Sequence, residues 1–521
     1  MKVLIANPAV RRPLDKDLER YMMGSGVRFP WSLVKKNNTR PRFSMFPMFL
    51  GYTAALLEDA GFDVYVIDGV PLDLHNDEFL EKAIAIQADV IITEPNSAVI
   101  DDVMSLQAAI VKETNAISIV VGSHVSAEMA SVSREWPSVD YAVMGEYEYG
   151  VLNLLNALRA SDNVENLQGV AYRVSGQLKK PEQLAPAVTE LDELPLPARH
   201  LFPAYFDTDI NAYNDGFNQY QPTIDVHSSR GCPYRCNFCV WVQVLFDSTK
   251  QRLRSPVKIA DEMEYLVENF GAKEIYFDDD NFTANKKHVS ALCEELIKRG
   301  SKIPWSALTD AIALSEEMLD NMAAAGCIGI KFGLDSADAE VLEKSNKPLK
   351  VSRVPALVER AKKLGIKTHM TVVLGLSGET KASLDHTFNF SCNLDIDSIQ
   401  YSMATPVPGT ALYKQLENEQ KLHFVKWEEL DGYSSSVIEY EDFSREYLEQ
   451  FEYTVHGRWL KARLKHPAWV LRQVRYLARL TRIQGLHGFI RRVQRGVQLL
   501  KGDSIMVKPA DGDGRQTSIR W

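Results

Sequence analysis

Short apolar runs alternate with amphipathic stretches along the first third of the chain. Five runs have the length and composition of buried parallel strands: Lys2–Ala6, Asp63–Ile67, Asp89–Thr93, Ile117–Gly122 and Asp140–Met144. The stretches between them have helical periodicity: Phe49–Ala60, Asp77–Ile86, Ala98–Thr114 and Val125–Trp136. This alternation predicts an α/β domain over residues 1–160, with a doubly wound, Rossmann-like parallel sheet that binds ligands at the carboxyl ends of its strands.

The same alternation returns over residues 226–430. The predicted strands are Glu274–Phe277, Trp305–Leu308, Ile328–Phe332, Thr368–Leu374 and Ser398–Ser402. The predicted helices are Ala260–Asn269, Lys287–Arg299, Glu316–Ala325, Val354–Leu364 and Lys381–Asn393. With one more strand before Cys232, this region contains six βα units.

Two segments do not follow this alternation. Residues 161–225 contain a hairpin signal around Ser175-Gly176 and then a proline-rich stretch, which predicts a connector between two domains. Residues 11–47 interrupt the first strand–helix connection with Arg, Lys, Pro, Gly and aromatic residues. A connection this long could cover a bound ligand or contribute to a substrate pocket.

The composition is that of an ordinary soluble protein. Of the 521 residues, 45% are hydrophobic and 25% are charged, and the net charge of −10 argues against nucleic acid as a partner. No apolar run reaches the length of a membrane span, and the short run Met1–Ala6 lacks the features of a signal peptide. The cysteines include a cluster but no disulfide framework, which predicts a cytoplasmic protein.

The stretch Arg230–Trp241 places Cys232, Cys236 and Cys239 in a C-x3-C-x2-C pattern. Three thiolates this close on a loop can share one iron–sulfur cluster, and the lack of a fourth nearby Cys leaves one iron open for chemistry. A zinc site with His227 as fourth ligand and a set of buried thiols are the alternatives. Three other cysteines are scattered singly and are predicted to be structural: Cys293, Cys327 and Cys392.

This triplet, with Phe238 before its third Cys, resembles the cluster motif of the radical S-adenosylmethionine (SAM) family. The resemblance implies a six-stranded partial (β/α)6 barrel and a [4Fe–4S] cluster whose open iron is chelated by SAM. It also implies an electron donor such as flavodoxin or ferredoxin. In that family one electron from the cluster cleaves SAM, and the 5′-deoxyadenosyl radical abstracts hydrogen from an unreactive carbon.

Three downstream segments resemble the family's SAM-binding loops. Asp278–Asp280 follows the second barrel strand, where the family holds the methionine amino group. Gly333–Ser336 resembles Gly-x-Glu-Ser with Asp335 in place of Glu, and Gly375–Thr380 resembles the loop near the adenine with Ser377 in place of Pro. The expected SAM contacts are Phe238, Asp278, Asp279, Asp280, Asp335, Ser336, Gly375 and Glu379.

The first domain resembles the cobalamin-binding domain that precedes many radical SAM domains. Val121–His124 and Met144–Glu148 correspond to its two loop signatures, although Ser123 replaces a second Gly. The family's Asp-x-His-x-x-Gly motif after the first strand is replaced by Asn7–Val10, so cobalt is expected to have no protein imidazole ligand. A sheet without its cofactor is the alternative. The expected cobalamin contacts are Asn7, Pro8, Thr93, Glu94, Ser97, Gly122, Ser123, His124, Gly145 and Glu146.

The predicted C-terminal region, residues 431–521, is basic and helical. No Asp or Glu occurs from Tyr453 to Gly502, and aromatic residues are interleaved with Leu, Val and Ile at helical spacing. It either binds an anionic surface at the inner face of the membrane or forms a cap whose Arg residues neutralise the acidic body. The basic residues of this stretch are Arg458, Lys461, Arg463, Lys465, Arg472, Arg475, Arg479, Arg482, Arg491, Arg492, Arg495 and Lys501.

The two-domain resemblance implies a cobalamin-dependent radical SAM enzyme, most often one that methylates an unactivated carbon. The expected substrate is a lipid, a lipid-linked molecule or a secondary metabolite. Cyclisation, rearrangement or oxidation without net methyl transfer is one alternative, and a degenerate binding protein is another, which the intact cysteine triplet argues against. Arg252 and Arg254 could steer a carboxylate or phosphate, but exposed surface positions are the simpler expectation.

Overall fold

The computed structural model describes residues 1–15, 17–25, 31–37, 41, 43–202, 213–478, 497 and 500. The strands of its first part are β1 (Lys2–Asn7), β2 (Val10–Asp15), β3 (Leu18–Met23), β4 (Trp31–Lys36), β5 (Asp63–Asp68), β6 (Val90–Thr93), β7 (Ile117–Val121), β8 (Tyr141–Val143), β9 (Val170–Val174) and β10 (Gln177–Lys179). The helices of this part are α1 (Met48–Asp59), α2 (Gly69–Leu72), α3 (Asn76–Ile86), α4 (Ile100–Thr114), α5 (Ser123–Glu135) and α6 (Glu148–Ala160).

Seven of these strands form one sheet, in the order β10-β9-β8-β7-β6-β1-β5. The run β5-β1-β6-β7-β8 is parallel and has the flavodoxin-like order, in which ligands bind where the strand order reverses, here between β1 and β6. Helices α1 and α6 cover one face, and α3, α4 and α5 cover the other. Because both faces are covered, the strands are continuous apolar runs, and the predicted α/β fold is confirmed.

The hairpin β9–β10, which the sequence places in the connector, extends this sheet. β9 pairs antiparallel with β8, and β10 pairs antiparallel with β9. Ala171 and Leu178 of the hairpin are buried against Met129 and Val132 of α5, which explains why two short strands join the sheet. The limits of the four predicted domains stay a prediction.

Strands β2, β3 and β4 form a separate antiparallel sheet within the long connection after β1, where the sequence indicated only an interruption. The hydrophobic pattern does not indicate this sheet, because charged residues occupy positions within its strands. Lys35 pairs with Glu19 at 2.6 Å, and Arg11 pairs with Asp73 at 2.6 Å. Both cations also lie over the ring of Tyr21, which the sequence pattern alone does not reveal.

The strands of the second part are β11 (Thr223–Val226), β12 (Ser229–Arg230), β13 (Arg252–Leu253), β14 (Glu274–Phe277), β15 (Trp305–Asp310), β16 (Cys327–Asp335), β17 (Lys367–Leu374) and β18 (Ser398–Met403). Its helices are α7 (Pro256–Phe270), α8 (Lys286–Lys298), α9 (Glu316–Ala324), α10 (Ala339–Lys344), α11 (Val354–Lys363), α12 (Lys381–Asn393), α13 (Ala411–Asn418) and α14 (Arg445–Arg463). Six strands are parallel in the order β11-β14-β15-β16-β17-β18, with helices on the outer face, so the predicted six-stranded partial barrel is confirmed.

Several helices of the barrel begin at side-chain caps. Ser255, Ser315 and Thr380 each accept a hydrogen bond from the backbone N–H three residues further along, at the starts of α7, α9 and α12. Such caps satisfy backbone donors that have no partner inside the helix. They fix where each strand-to-helix loop ends, and these loops carry the predicted site.

Arginine side chains cover the free edge of β11. Arg199 donates to the carbonyl of Asp225 at 2.6 Å, and Arg254 donates to the carbonyl of His227 at 2.9 Å. Both guanidinium groups pair with the buried carboxylate of Glu262 in α7. The expectation that Arg254 is an exposed surface residue is wrong, because its guanidinium is buried and binds the carbonyl of His227 and the carboxylate of Glu262.

The C-terminal helices lie against β18 and α12. His456 of α14 accepts a hydrogen bond from the backbone N–H of Tyr401 at 3.2 Å, on the edge of β18. In the helical residues 467–478, the indole of Trp469 donates to the carbonyl of Ile396 at 2.9 Å. The C-terminal helices therefore cover the edge of β18, with which a further strand could otherwise pair.

Part of the basic tail is engaged by the barrel. Arg463 and Arg472 pair with Asp395 at 2.5 and 2.8 Å, and Arg458 lies 3.7 Å from Asp385. These contacts are the ones that the cap interpretation expects. Other basic residues of the tail are exposed: Lys461, Lys465 and Arg475. The rest lie outside the described residues: Arg479, Arg482, Arg491, Arg492, Arg495 and Lys501. Among the helices that the structure describes, none is long and apolar enough to cross a membrane.

Candidate cofactor site

The cysteine loop begins near the carboxyl end of β11 and packs against the first domain through Trp241. Gly231 has a φ of +89°, and a Cβ at this position would lie 2.6 Å from the carbonyl oxygen of Lys250. Its backbone N–H donates to Asp280 at 2.6 Å. Glycine is therefore required at the residue before Cys232.

The backbone of the cysteine loop is held by an amide side chain. Gln243 lies in the single π-helical turn Trp241–Leu245. Its Nε2 donates to the carbonyls of Cys236, Asn237 and Cys239 at 2.8, 3.0 and 3.1 Å. All three cysteines of the triplet are partly exposed. The loop is therefore fixed through its carbonyl groups, which leaves its sulfur atoms available to a ligand.

The donor set of this loop fits an iron–sulfur cluster. Burial raises the pKa of Cys232 to about 12 and also raises the pKa of Cys236, and the positive charge of a bound metal centre would favour their thiolate forms. Asn281 donates to the sulfur of Cys232 at 3.8 Å, and hydrogen bonds of this kind affect the reduction potential of iron–sulfur clusters.

The zinc alternative receives no support from the geometry. Within the residues that the structure describes, no three His, Cys, Asp or Glu side chains converge as ligands of a single ion. A zinc site needs such convergence. The thiolates of a four-iron cluster bind different irons and therefore stand farther apart.

The three predicted acids after β14 have two different surroundings. Asp279 is fully buried, and its carboxylate accepts bonds of 2.5 to 2.7 Å from the backbone and hydroxyl of Ser228 and the hydroxyl of Ser229. Burial raises the pKa of Asp279 to about 6. Asp278 and Asp280 instead line a small cavity between the barrel and the first domain.

Asp335 contacts a lysine that the sequence analysis missed. The amine of Lys347 donates to Asp335 at 2.6 Å and to Asp310 at 2.9 Å, joining the carboxyl ends of β16 and β15. Burial by itself lowers the pKa of Lys347, but the two carboxylates outweigh it and hold this pKa above its ordinary value. No motif marks Lys347, because its partners come from two other parts of the chain.

The remaining predicted SAM residues lie in the loops after β16 and β17 or beside them. The hydroxyl of Ser336 is 3.2 Å from a threonine hydroxyl of α12. Glu379 accepts bonds from Ser383 at 2.6 Å and from the backbone of Gly375 at 3.3 Å, and burial raises its pKa to about 7. Phe238 packs against a buried apolar cluster formed by the loop after β17 and by α13.

At the carboxyl edge of the first sheet, predicted cobalamin residues are bonded to their neighbours. Asn7 donates to Asp68 at 2.9 Å, and Tyr213 donates to the other oxygen of this carboxylate at 2.5 Å. Burial raises the pKa of Asp68 to about 7. Thr93, at the end of β6, donates to Gln107 at 2.6 Å.

The small β2–β4 sheet covers this edge. Asn96 donates to the carbonyls of Met23 and Gly24 at 2.9 and 3.0 Å, and Ser25 donates to the carbonyl of Glu94 at 2.9 Å. Three further predicted residues are buried at this edge: Pro8, Glu94 and Ser97. The connection after β1 therefore lies directly on the point where the strand order reverses.

His124 lies in the first turn of α5, immediately after Ser123, and it is buried. Its Nδ1 is 2.9 Å from the hydroxyl of Ser97, and its ring meets the indole of Trp427 edge-on at a centroid distance of 5.0 Å. Burial lowers the pKa of His124 to about 4, so the imidazole is neutral. The sequence analysis missed Trp427, because this residue follows the barrel and lies far from the first domain in the chain.

Glu146 belongs to an ion-pair cluster between the two domains. Its carboxylate accepts hydrogen bonds from Arg230 at 2.6 Å and from Arg252. Arg252 is buried, so the expectation of an exposed surface position is wrong, because pairing of β12 with β13 turns this guanidinium toward Glu146. The neighbouring Gly145 has a φ of +88° and donates its N–H to Ser126 at 2.9 Å.

The first domain fits cobalamin through the backbone of its carboxyl edge. Gly122 has a φ of +103°, and a Cβ there would lie 2.9 Å from the side chain of Glu94. Gly145 follows the adjacent strand and is also left-handed. A Cβ at Gly145 would lie 3.0 Å from the side chain of Leu184, so protein atoms occupy the space beside both glycines. Both glycines follow adjacent parallel strands, at the edge where ligands of such sheets bind. Polar side chains at this edge, such as Asn7 and His124, are already bonded to protein groups.

The interior of the barrel is polar. Phe217, from the segment before β11, packs on His369 at a centroid distance of 5.7 Å, and Asp215 pairs with Lys331 at 3.2 Å. This segment fills the amino-terminal end of the barrel. His369 pairs with Ser398 of β18. Two residues further along the same strand, Gln400 donates to the hydroxyl of Tyr433 at 2.8 Å. The inner side of the barrel therefore carries hydrogen-bonding groups, which are paired with other protein groups.

Comparison with known proteins identifies both parts of the chain. Residues 226–391 match the radical SAM superfamily, and residues 35–155 match the B12 binding domain. An uncharacterised methyltransferase of Pyrococcus horikoshii is 30% identical over 383 residues, which are 73% of this chain and 80% of that protein. The anaerobic magnesium-protoporphyrin IX monomethyl ester cyclase of Cereibacter sphaeroides is 27% identical over 389 residues, which are 72% of this chain and 60% of that protein.

A solved structure shares the architecture. The radical SAM methyltransferase TsrM of Kitasatospora setae, with cobalamin and a [4Fe–4S] cluster bound, has a TM-score of 0.61 at 19% identity. The match covers 80% of this chain and 75% of that chain, and it shows the same fold. The family predicted from the cysteine triplet and the loop signatures is confirmed. This chain belongs to the cobalamin-dependent radical SAM enzymes, with a [4Fe–4S] cluster, SAM and cobalamin as its cofactors.

Proposed function

We propose that this enzyme transfers a methyl group to an unactivated carbon, with Cys232, Cys236 and Cys239 as the cluster ligands. One observation carries the proposal. The cysteine loop lies at the carboxyl ends of the barrel strands and packs against the first domain, so the two cofactor regions are neighbours. The similarity to a methyltransferase of Pyrococcus horikoshii supports methyl transfer as the reaction.

When bound, the cluster and SAM supply hydrogen abstraction, and cobalamin supplies the methyl group. The residues of the chain hold and orient these groups. Gln243 fixes the carbonyls of the cysteine loop. Lys347 holds Asp310 and Asp335 in place, where their acceptor oxygens can receive hydrogen bonds from the hydroxyl or ammonium groups of SAM. The first domain packs on the cysteine loop, where it would exclude water from the bound cofactors.

The predicted SAM contacts divide into two groups in this proposal. Asp278 and Asp280 line the cavity between the domains, and with Asp335 they are assigned to direct contact with SAM. Asp279 and Glu379 are assigned to holding the loops, because their oxygens are bonded to neighbouring backbone and hydroxyl groups. Further contacts are assigned to Phe238, Ser336 and Gly375. Cobalamin is assigned to the backbone around Gly122 and Gly145.

The polar interior of the barrel favours a substrate whose reacting end is polar. Lys331, His369 and Gln400 lie on its inner side, and although each is bonded to another protein group, together they give this side a polar surface. We therefore assign the barrel to a polar reacting end of the substrate. A secondary metabolite fits this surface, and a lipid or lipid-linked substrate fits it if the polar end enters first.

Cyclisation or oxidation without net methyl transfer is the second candidate. The similarity of this chain to the cyclase of Cereibacter sphaeroides favours it. The two candidates use the same cofactors and differ in whether the substrate radical takes up a methyl group. Only product analysis separates them.

The proposal is tested with anaerobically reconstituted enzyme, a flavodoxin or ferredoxin as electron donor, and SAM labelled with a trideuteromethyl group. The substrate source is a metabolite and lipid extract of cells that lack this protein. A product that gains the labelled methyl group, formed together with 5′-deoxyadenosine, is the expected result. A changed product without the label favours cyclisation or oxidation. No change in any compound, with the cluster fully assembled, contradicts both candidates.

We also propose that the C-terminal region binds an anionic membrane at the inner face. Exposed apolar side chains support this, because Leu464, Leu471 and Val474 are 43%, 51% and 54% exposed beside exposed basic residues. The pairing of Arg463 and Arg472 with barrel acids weakens it.

Co-sedimentation of the full chain with phosphatidylglycerol liposomes at low and high salt tests this membrane proposal. We expect binding at low salt that weakens at high salt, because salt screens the basic residues. A triple change of Lys461, Lys465 and Arg475 to Glu should reduce it. The matched control changes three exposed lysines of the barrel to Glu: Lys273, Lys287 and Lys302. Equal loss of binding in both triple variants, or no binding at low salt, contradicts the proposal.

A further inference from the structure

Four charged residues are buried together where the barrel meets the first domain. Arg230 and Arg252 come from the paired strands β12 and β13 of the barrel. Glu146 and Glu148 come from the loop and first helical residue after β8. None of the four is more than 6% exposed, and their formal charges sum to zero.

Arg230 contacts both glutamates and two aromatic rings of the first domain. Its Nη1 donates to both Glu146 and Glu148 at 2.6 Å. The guanidinium also lies over the rings of Phe49 and Tyr52 in α1, at 4.6 and 4.8 Å. Arg230 is therefore bound to two different elements of the first domain, although it belongs to the barrel.

The backbone links Arg230 directly to the cysteine loop. Gly231, the next residue, is held by its bond to Asp280 and by its close approach to Lys250. Cys232 follows immediately. A shift of Arg230 would therefore move the first cysteine, and a shift of the loop containing Gly145 would move Arg230.

Because its charges are buried, the contact between the two domains tolerates little displacement. A buried charge without its partner costs far more free energy than a well-formed pair, and partners must lie within hydrogen-bond distance to compensate. A single nitrogen of Arg230, Nη1, donates to both carboxylates, so both must stay within hydrogen-bond distance of one atom. Small displacements between the domains are therefore opposed more strongly than an apolar contact of similar size would oppose them.

We propose that Arg230, through Glu146 and Glu148, sets the position of the cysteine loop relative to the carboxyl edge of the first domain. Arg230 is then a positioning residue for a reaction that requires both cofactor regions at a defined separation. Its importance for catalysis rests on the proposed function, whereas its effect on domain position does not. Glu146 has this structural role in place of the predicted cobalamin contact.

The test compares the wild-type chain with Arg230→Met, Arg230→Lys and the control Arg254→Met. Arg254 is a buried arginine that also pairs with a glutamate, but its partner Glu262 lies within the barrel. Hydrogen exchange is measured on the full chain without cofactors. With both cofactors bound, the magnetic coupling between the reduced cluster and cob(II)alamin is measured by electron paramagnetic resonance.

For Arg230→Met we expect exchange in residues 145–150 and 229–240 to become roughly tenfold to a hundredfold faster, because a buried carboxylate loses its partner. The magnetic coupling should become weaker or more widely distributed. Arg230→Lys should show the same changes to a smaller extent, because lysine keeps the charge but not the planar group that lies over Phe49 and Tyr52. If Arg230→Met does not fold, Arg230→Lys provides the comparison.

Arg254→Met should change exchange in α7 and β11 without affecting residues 145–150 or the magnetic coupling. Unchanged coupling in both Arg230 variants would overturn the proposal, even if exchange became faster. An equal loss of coupling in Arg254→Met would overturn it as well. If the wild-type chain binds no cobalamin, the proposed function fails, and exchange in residues 145–150 alone decides the role of Arg230.

Discussion

The cysteine loop and the carboxyl edge of the first sheet are neighbours with different construction. In the cysteine loop, one short stretch of chain carries all three thiols, and Gln243 donates to its backbone carbonyls. At the sheet edge, the predicted contacts come from four separate loops. Their side chains bind other protein groups, as Asn7 binds Asp68 and Ser97 binds His124.

This difference shows how each region can hold its cofactor. The three proposed sulfur ligands lie within eight residues and would bind the cluster directly, so loss of one side chain would remove a bond to it. The sheet edge offers left-handed glycines and backbone groups, as at Gly122 and Gly145, so single side chains contribute less. Side-chain changes should therefore have large effects in the loop and small effects at the edge.

The largest effect is expected from the cysteines of the loop. Replacing Cys232, Cys236 or Cys239 with Ala should abolish cluster binding and SAM cleavage, whereas cobalamin binding should remain. Iron and sulfide content, 5′-deoxyadenosine formation and the cobalamin absorption spectrum measure these properties. The control variants carry Ala at the scattered cysteines: Cys293, Cys327 and Cys392. Loss of iron in a control variant would contradict the assignment of ligands.

A smaller effect is expected from the amide that holds the loop. Gln243→Leu removes the donor shared by three carbonyls and should make iron loss to a chelator about tenfold to a hundredfold faster. The control is Gln168→Leu, because Gln168 is exposed and bonds only to another glutamine amide. Equal rates of iron loss in wild type and Gln243→Leu would show that the loop does not need this support.

At the sheet edge, Asp68 should make stability depend on pH. Its folded-state pKa is raised to about 7, above the ordinary value of 3.8, so its stabilising contribution is fully present only below this ordinary value. Stability is lost as the pH rises through about 7, because the unfolded chain releases this proton more easily. Asp68→Asn cannot ionise and should reduce the loss of stability between about pH 5 and about pH 8 by on the order of 3 kcal/mol. Urea unfolding at both pH values measures the difference, and an unchanged pH dependence would contradict the expectation.

The smallest effect is expected from His124. Its Nδ1 faces Ser97, and the first strand is followed by Asn7 and Pro8 where a ligand histidine would be needed. The cob(II)alamin spectrum in electron paramagnetic resonance should be the same whether the histidines of the protein carry nitrogen-14 or nitrogen-15. A difference that disappears in His124→Ala would show that this imidazole ligates cobalt.

Much of the fold could be predicted because its signals are local. Strands such as β6 and β14 are buried on both faces and therefore consist mostly of apolar residues. The β2–β4 sheet could not be predicted, because Arg11, Glu19 and Lys35 look like loop residues until their partners are known. The same limit applies to Arg252 and Arg254, whose burial depends on glutamates elsewhere in the chain.

The sequence by itself determined the cluster motif, both α/β domains and the absence of a histidine after the first strand. Each of these depends on residues that are adjacent or that repeat with the period of a strand or helix. Only the tertiary structure decided that Glu146 binds Arg230, that Lys347 joins Asp335 to Asp310, and that the tail arginines pair with Asp395. The reason is physical: a charge is stable in the interior only beside its partner, and that partner is chosen by how the elements pack rather than by their order in the chain.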